Sequence, residues 1–585
     1  MPDREKNQFE YYLEPPEGWD EIIERLERLK RSRQSVPPRP RGATLIESRR
    51  EAKRRAVREA ERELEALARD NGGSRADEPD GERRKAKPRP KPKSKTKPKA
   101  NTKAKGKPKA KTGDKSETKP PRFHAAKAAV RLPDWTRKVS EAVAEALFES
   151  IAEVARMREL CARDPSRDFT RDRKITLETL LATLVCWGQR TIRHEVLDAL
   201  GWNGVSASAS AFRQQWKKLS TGAMPTLMGA FMSRFDVVPY RSKYRLLAAD
   251  GTGIRVNETG REETRVRSNQ NDARHDELHP TCSYDIMRHT FEDVFFQGAK
   301  KSNEPAALCR LVDRLWPGKT PDGKLLRALW VADRNYFTFN VLCHMVEAGA
   351  AFIIRANDER VANFLGYEQE GEFDVEATRI VTRSRSTRWR TRPKDGHLYR
   401  VVGSDRPFDA LAPRSGGEYP LRLRVVRIAI DPKDDGDPNP DGDRWLNLVT
   451  NLPANEFSRE LLEDTYRLRW TEETAYLYLK HVIGARVQHT HDYERLCQEV
   501  HGRLVLYNAC SLGTSGVPIP EPGDKHERAT DVTTAFTAMM VLLRGRDDDV
   551  DVEGVAARCT HAVEEGRSNP RKKRMCRPVC FKYRC

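Results

Sequence analysis

The stretch Tyr466–Lys480, YRLRWTEETAYLYLK, decides how the chain is read. Tyr466, Arg469, Glu473 and Lys480 are spaced by 3, 4 and 7 residues, so at about 100° per residue they share a helical stripe roughly 60° wide. Leu461, Leu468, Ala475, Leu479 and Val482 gather on the opposite face, where they can pack on a core. The pattern predicts one long helix from about Ser458 to Ile483. Taken alone the stripe has a plain explanation, because Arg469 and Glu473 form an i,i+4 pair common on any solvated helix.

Working outward, two more acids stand at the ends of apolar runs. Asp250 closes the first half of YRLLAADGTGIRV (244–256), and Asp333 closes LLRALWVAD (325–333). Each run reads as a strand, with Gly251 and Gly253 marking a bend after the first. Carboxylates at strand ends can converge on a cation that one of them could not hold, although an isolated strand-end Asp also serves as a turn or helix cap. Further strands are expected at 290–296 and 350–354, and again at 444–452 just before the helix. Strands and helices in this order predict an α/β core around a central sheet.

The spacing Tyr-x2-Arg-x3-Glu-x6-Lys, with Asp250-Gly-Thr and Ala332-Asp333-Arg334-Asn335-Tyr336 ahead of it, resembles the DDE transposases of the insertion-sequence-4 family. The resemblance covers roughly 173–508. It implies an RNase H-like core interrupted by a β-rich insertion, with Asp250, Asp333 and Glu473 as catalytic residues holding two Mg2+ ions that Mn2+ can replace. It further implies that Arg469 and Lys480 face the DNA backbone and that Tyr466 meets a phosphate near the cut. Trp445 matches by distance the Trp that stacks on a flipped base in relatives that form a hairpin; a core Trp opening a strand is the other reading. Asn335 departs from the pattern, standing where many relatives have Gly.

Composition sets the frame around this core. The chain has 585 residues, 33% of them charged, and a net charge of +20. Between Arg83 and Arg122 there are 18 Lys or Arg against Asp114 and Glu117. Lys alternating with Pro, Ala and Thr offers no face to bury, so this segment reads as disordered. It is either a solubilising linker or an arm for a polyanion such as DNA. No run of 18 apolar residues and no apolar leader appear, and the 11 scattered Cys fit a reducing compartment. A cytoplasmic, nucleoid-associated protein without a membrane segment is expected. Cys576, Cys580 and Cys585, with His561 upstream, match no usual zinc spacing.

Helical periodicity begins near Trp135, and helices are expected at 177–187 and 195–200. After the stop at Gly201 comes SASASAFRQQWKKL (206–219), small capping residues followed by a basic, aromatic helix. Two readings stand for it. It is a helix-turn-helix unit presenting Arg213, Gln214, Lys217 and Lys218 to DNA, or a bundle helix with a solvated basic face. The expected organisation is a disordered basic tail with a charged helix (1–132), a helical DNA-binding domain (133–240), the core in two parts (241–355 and 444–515), the β-rich insertion (356–443), and a helical, Cys-containing C-terminal region (516–585). The function expected is transposition: binding of terminal inverted repeats, pairing of two ends as a homodimer, cleavage and transfer into target DNA. A silent DNA-binding regulator and a nuclease that does not rejoin DNA are the alternatives.

Overall fold

A computed structural model describes residues 138–171, 173–201, 207–267, 273–315, 320, 322–382, 398–401, 418–430, 444–515, 528–545 and 550–562. All of them fall within one compact unit. The N-terminal segment expected to be a basic tail with a charged helix, and the three C-terminal cysteines, lie outside the described residues.

The core begins where apolar strands can be covered on both faces. Strand β1 (Tyr244–Gly251) sends Leu246 and Ala248 to one hydrophobic cluster and Leu247 and Ala249 to another, the alternation that a pleated strand imposes. The chain then forms β2 (Ile254–Val256), β3 (His275–Asp285) and β4 (Thr290–Gly298). β3 pairs antiparallel with β1, β2 and β4. Ahead of the sheet in sequence stand the helices α1 (Val139–Ala155), α2 (Leu177–Cys186), α3 (Ile192–Leu200), α4 (Ala209–Trp216) and α5 (Ala223–Met232). After β4 come α6 (Glu304–Arg314), β5 (Arg327–Ala332), α7 (Phe339–Glu347) and β6 (Ala351–Ala356).

β5 lies parallel to β1, and β6 parallel to β5. The order β4-β3-β1-β5-β6, antiparallel then parallel, is consistent with the RNase H-like core expected from the sequence. The stretch 356–443 contains α8 (Asp358–Leu365), β7 (Phe373–Thr382), β8 (Leu398–Val401) and β9 (Glu418–Ala429). Its described strands form no separate sheet. Through β10 (Trp445–Thr450), which pairs with both β6 and β9, they join the core sheet, which reaches eleven strands with the two-residue strand Arg265–Val266 beside β3.

The signature helix departs from the single helix predicted. Ser458 caps it, its Oγ accepting from the Leu461 N–H at 3.2 Å, and α9 then spans Arg459–Arg467. At Leu468 and Arg469 the backbone tightens, each N–H bonding to the carbonyl three residues earlier, before α10 (Trp470–Tyr478) resumes. A wider π turn follows at Leu479–Ile483 and stops at Gly484, whose φ of 90° suits glycine. The helix therefore lies where regular spacing predicts, but it is interrupted twice.

Helix α11 (Tyr493–Gly513) is buried on every side from Leu496 onward. The N-terminal helices wrap it: α1, α2 and α5 share its apolar cluster, and the Trp216 Nε1–H of α4 donates to Gln498 Oε1 at 2.8 Å. α3 starts a turn before the expected Glu195, with Thr191 at its N-cap, and ends at Gly201. After α11 come α12 (Val532–Leu543) and α13 (Val552–Arg558), flanked by a two-stranded antiparallel pair of 528–530 and 560–562. No described helix is long and apolar enough to cross a membrane.

Candidate active site

Parallel strands end together, so β1 and β5 deliver their last residues to the same sheet edge. Ala249 pairs with Ala332, which sets Asp250 and Asp333 side by side one residue on. Asp250 Oδ1 accepts from the Gly251 N–H at 2.8 Å, and Asp333 Oδ1 from the Asn335 N–H at 2.8 Å. Burial pushes the Asp250 carboxyl up to about 7; Arg469 opposes this, and the neighbouring charge of Asp333 adds to it. Burial raises Asp333 as well. Two carboxylates that resist ionising beside each other form a place where a cation is favoured.

The third acid arrives from the helix. Glu473 Oε1 accepts from Arg469 Nη2 at 2.7 Å, while Arg469 Nη1 stands 3.7 Å from Asp250 Oδ2. Arg469 thus lies between the helix acid and the strand acid. Tyr466 is buried beneath it, the guanidinium carbon 5.9 Å from the ring centre. Lys480 is half-buried, and its Nζ donates to Thr252 Oγ1 at 2.5 Å. Both cations expected to face the DNA backbone are therefore engaged inside the protein, Arg469 with the acids and Lys480 with the loop behind Asp250. A phosphate would reach them by competing for those contacts.

Among the described residues no three His, Cys, Asp or Glu side chains stand close enough to grip one ion as they are. The donor chemistry still fits a hard divalent cation. It is all carboxylate oxygen, Asp250 and Asp333 repel each other, and Arg469 supplies the positive charge that such a cluster demands.

Trp445 opens β10, which runs antiparallel to β6 with Asn447 opposite Ala356. That register puts Trp445 at the same sheet edge as Asp333, two strands away. It is half-buried, with Arg444 and Arg427 at 5.1 and 5.8 Å from its ring centre. On α4, Arg213, Gln214 and Lys217 are exposed and Phe212 and Trp216 are buried, so the basic face does point outward. Lys218 is less free, its Nζ 3.8 Å from Asp168. His561 lies exposed on the strand that pairs with 528–530.

Four residues near the acids escaped sequence reasoning. Glu304, in the first turn of α6, bonds His279 of β3 at 2.7 Å and also accepts from the Asn335 side chain. Glu472 is fully buried, and burial, then the charge of Asp250, push its carboxyl well above the usual range. Tyr476 donates its hydroxyl to the Asp250 carbonyl at 2.7 Å and lies 3.0 Å from Glu472 Oε1. The sequence Asn303-Glu304-Pro305 carries a readable helix start, a capping Asn followed by Pro, which would have placed Glu304 at the sheet edge.

Residues 241–509 match the family model described as a transposase DDE domain. The match supports a DDE transposase. No curated protein matches the chain. Among solved structures, the cryo-EM structure of a piggyBac transposase synaptic complex with hairpin DNA is similar over 75% of this chain and 88% of that one, at 10% identity and a TM-score of 0.36. A likeness that distant defines neither fold nor function.

Proposed function

We propose that the protein is a transposase of the insertion-sequence-4 type, which binds the terminal inverted repeats of its element, pairs two ends as a homodimer, and cuts and transfers them. The observation that carries this reading is the convergence of Asp250, Asp333 and Glu473 around Arg469. Asp250, Asp333 and Glu473 would hold two divalent ions, Mg2+ or Mn2+. Bound there, such ions supply activation of the attacking hydroxyl and stabilisation of the leaving oxygen in an in-line displacement.

The chain's own groups do the rest. Arg469, held by Tyr466 and desolvated, is a fixed fork suited to a phosphodiester once Glu473 turns to a cation. Lys480 adds a point charge behind Thr252. Trp445 offers an aromatic face at the same edge, and the exposed face of α4 offers Arg213, Lys217 and Lys218 to flanking duplex. The protein would act on chromosomal DNA in the cytoplasm.

The test uses the full chain, Mg2+, and duplex DNA taken from either side of the gene, where short inverted repeats are expected. Wild-type protein should nick and join these ends. Asp250→Ala should abolish cleavage and retain end binding; a variant that still cuts would overturn the assignment.

A further inference from the structure

Glu304 sits apart from the sequence signature, yet it touches the surroundings of both strand acids. Its Oε1 meets His279 Nε2 at 2.7 Å, and its Oε2 accepts from the Asn335 side chain. Asn335 in turn gives its backbone N–H to Asp333 Oδ1 at 2.8 Å. His279 lies on β3, the strand hydrogen-bonded to β1 up to Asp250 and Gly251. One carboxylate thus spans from the turn that holds Asp333 to the strand alongside Asp250.

The close packing is visible at Gly251. A Cβ there would overlap both the Glu304 carboxylate and the His279 ring, so the bridge presses directly on the backbone that follows Asp250. α6 carries Glu304 rigidly: Asn303 Oδ1 caps the helix by accepting from the Ala306 N–H at 3.2 Å, and Ala307, Leu308 and Leu311 are buried on the sheet. Asn335 also gains a reason here. A glycine at that position would leave Glu304 without its second donor.

We propose that Glu304 is a positioning residue, a clamp that sets the separation of Asp250 and Asp333 through Asn335 and His279. The proposal rests on the metal-dependent reading of the site, but it is tested by ion binding in the absence of DNA. Outer partners of metal ligands typically change ion affinity by about 10- to 100-fold when removed.

The experiment is Mn2+ titration of the full chain, followed by the loss of the free-ion paramagnetic signal, with thermal melting to check folding. Glu304→Ala should weaken Mn2+ binding by about 10-fold or more. Glu304→Gln keeps an acceptor for Asn335 and a donor for the His279 ring, and should bind within about threefold of wild type, which a purely electrostatic role would not allow. Asn335→Ala should weaken binding too, and the double variant Glu304→Ala/Asn335→Ala should be no weaker than Glu304→Ala alone, because both act through one bond. In end cleavage, Glu304→Ala should lower kcat with little change in KM.

Unchanged Mn2+ binding by Glu304→Ala, while Asp250→Ala loses it, overturns the clamp alone. A Gln variant as weak as Ala, or additive losses in the double variant, overturns it as well. If Asp250→Ala binds Mn2+ like wild type, the clamp has no site to set and fails with the site. A wild-type protein whose Mn2+ binding is lost in Asp250→Ala and weakened in Glu304→Ala, but which cuts no DNA, leaves the clamp standing and the transposase reading refuted.

Discussion

Replacing Asp250 by Asn should make the metal-free protein more stable at pH 8, although it removes a catalytic ligand. The carboxyl moves from an ordinary 3.8 when unfolded to about 7 when folded, driven by burial. Below about pH 4 both states hold the proton, and the group does not affect stability. Between about 4 and 7 the folded chain keeps a proton that the unfolded chain has lost, so stability falls as pH rises. Above about 7 the folded chain carries the charge at full cost, about three pH units at 1.36 kcal/mol each, or about 4 kcal/mol. A side chain still 20% exposed is partly screened, which brings the expectation to about 2–4 kcal/mol.

Asn keeps the shape and an oxygen for the Gly251 N–H, and it escapes that cost. In EDTA at pH 8 its Tm should exceed the wild type by a few degrees, with the gap shrinking to about 1 kcal/mol or less near pH 4.5. Mg2+ at about 100 times its Kd should then stabilise the wild type by about 2.7 kcal/mol and the Asn variant much less. An Asn variant that melts at or below the wild type in EDTA at pH 8, or a gap that ignores pH, would refute the reasoning.

Asn508→Ala should cost about 2–5 kcal/mol in chemical denaturation, because Asn508 satisfies both the N–H and the C=O of Phe291 at 2.8 and 2.7 Å in a fully buried setting; a loss under 1 kcal/mol would mean the strand finds other partners. Tyr476→Phe should lower Tm by stripping the Asp250 carbonyl and stranding buried Glu472, and adding Glu472→Leu should recover part of the loss; a double variant less stable than the single one would contradict this. Deleting residues 83–122 should flatten the dependence of DNA affinity on salt, read as the slope of log K against log salt; an unchanged slope would mean that this segment does not touch the DNA.

Much of the site could be read because it obeys local rules. Asp250 and Asp333 stand at the ends of apolar strands, and Ser458 opens the signature helix, so these elements are legible from residue type and spacing. β3 was missed for a physical reason. His275–Asp285 is polar in texture and contains Pro280, which argues against a strand interior. In the fold, β1 ends opposite Thr281 and β2 begins opposite Leu278, so Pro280 faces the gap between them. Its carbonyl accepts from Thr252 there, and its missing N–H interrupts no rung. Glu304, His279 and Glu472 were missed because long-range packing, not spacing, brings them to Asp250. The inward turn of Arg469 was equally invisible, since regular helical spacing does not report a local tightening of the backbone.

The burial of α11 bears on the order in which the chain is made. The apolar faces of α1, α2 and α5 are completed by residues of 493–513, which leave the ribosome more than 300 residues after α1. Until then those helices have only one another and the earlier strands to pack on, and α4 has no Gln498 to anchor its Trp216. A product truncated by a frameshift or stop codon before Tyr493 is therefore expected to be a target for proteolysis rather than a DNA-binding competitor of the full-length protein. Reading through to residue 513 is what completes the core around the helices of 139–232.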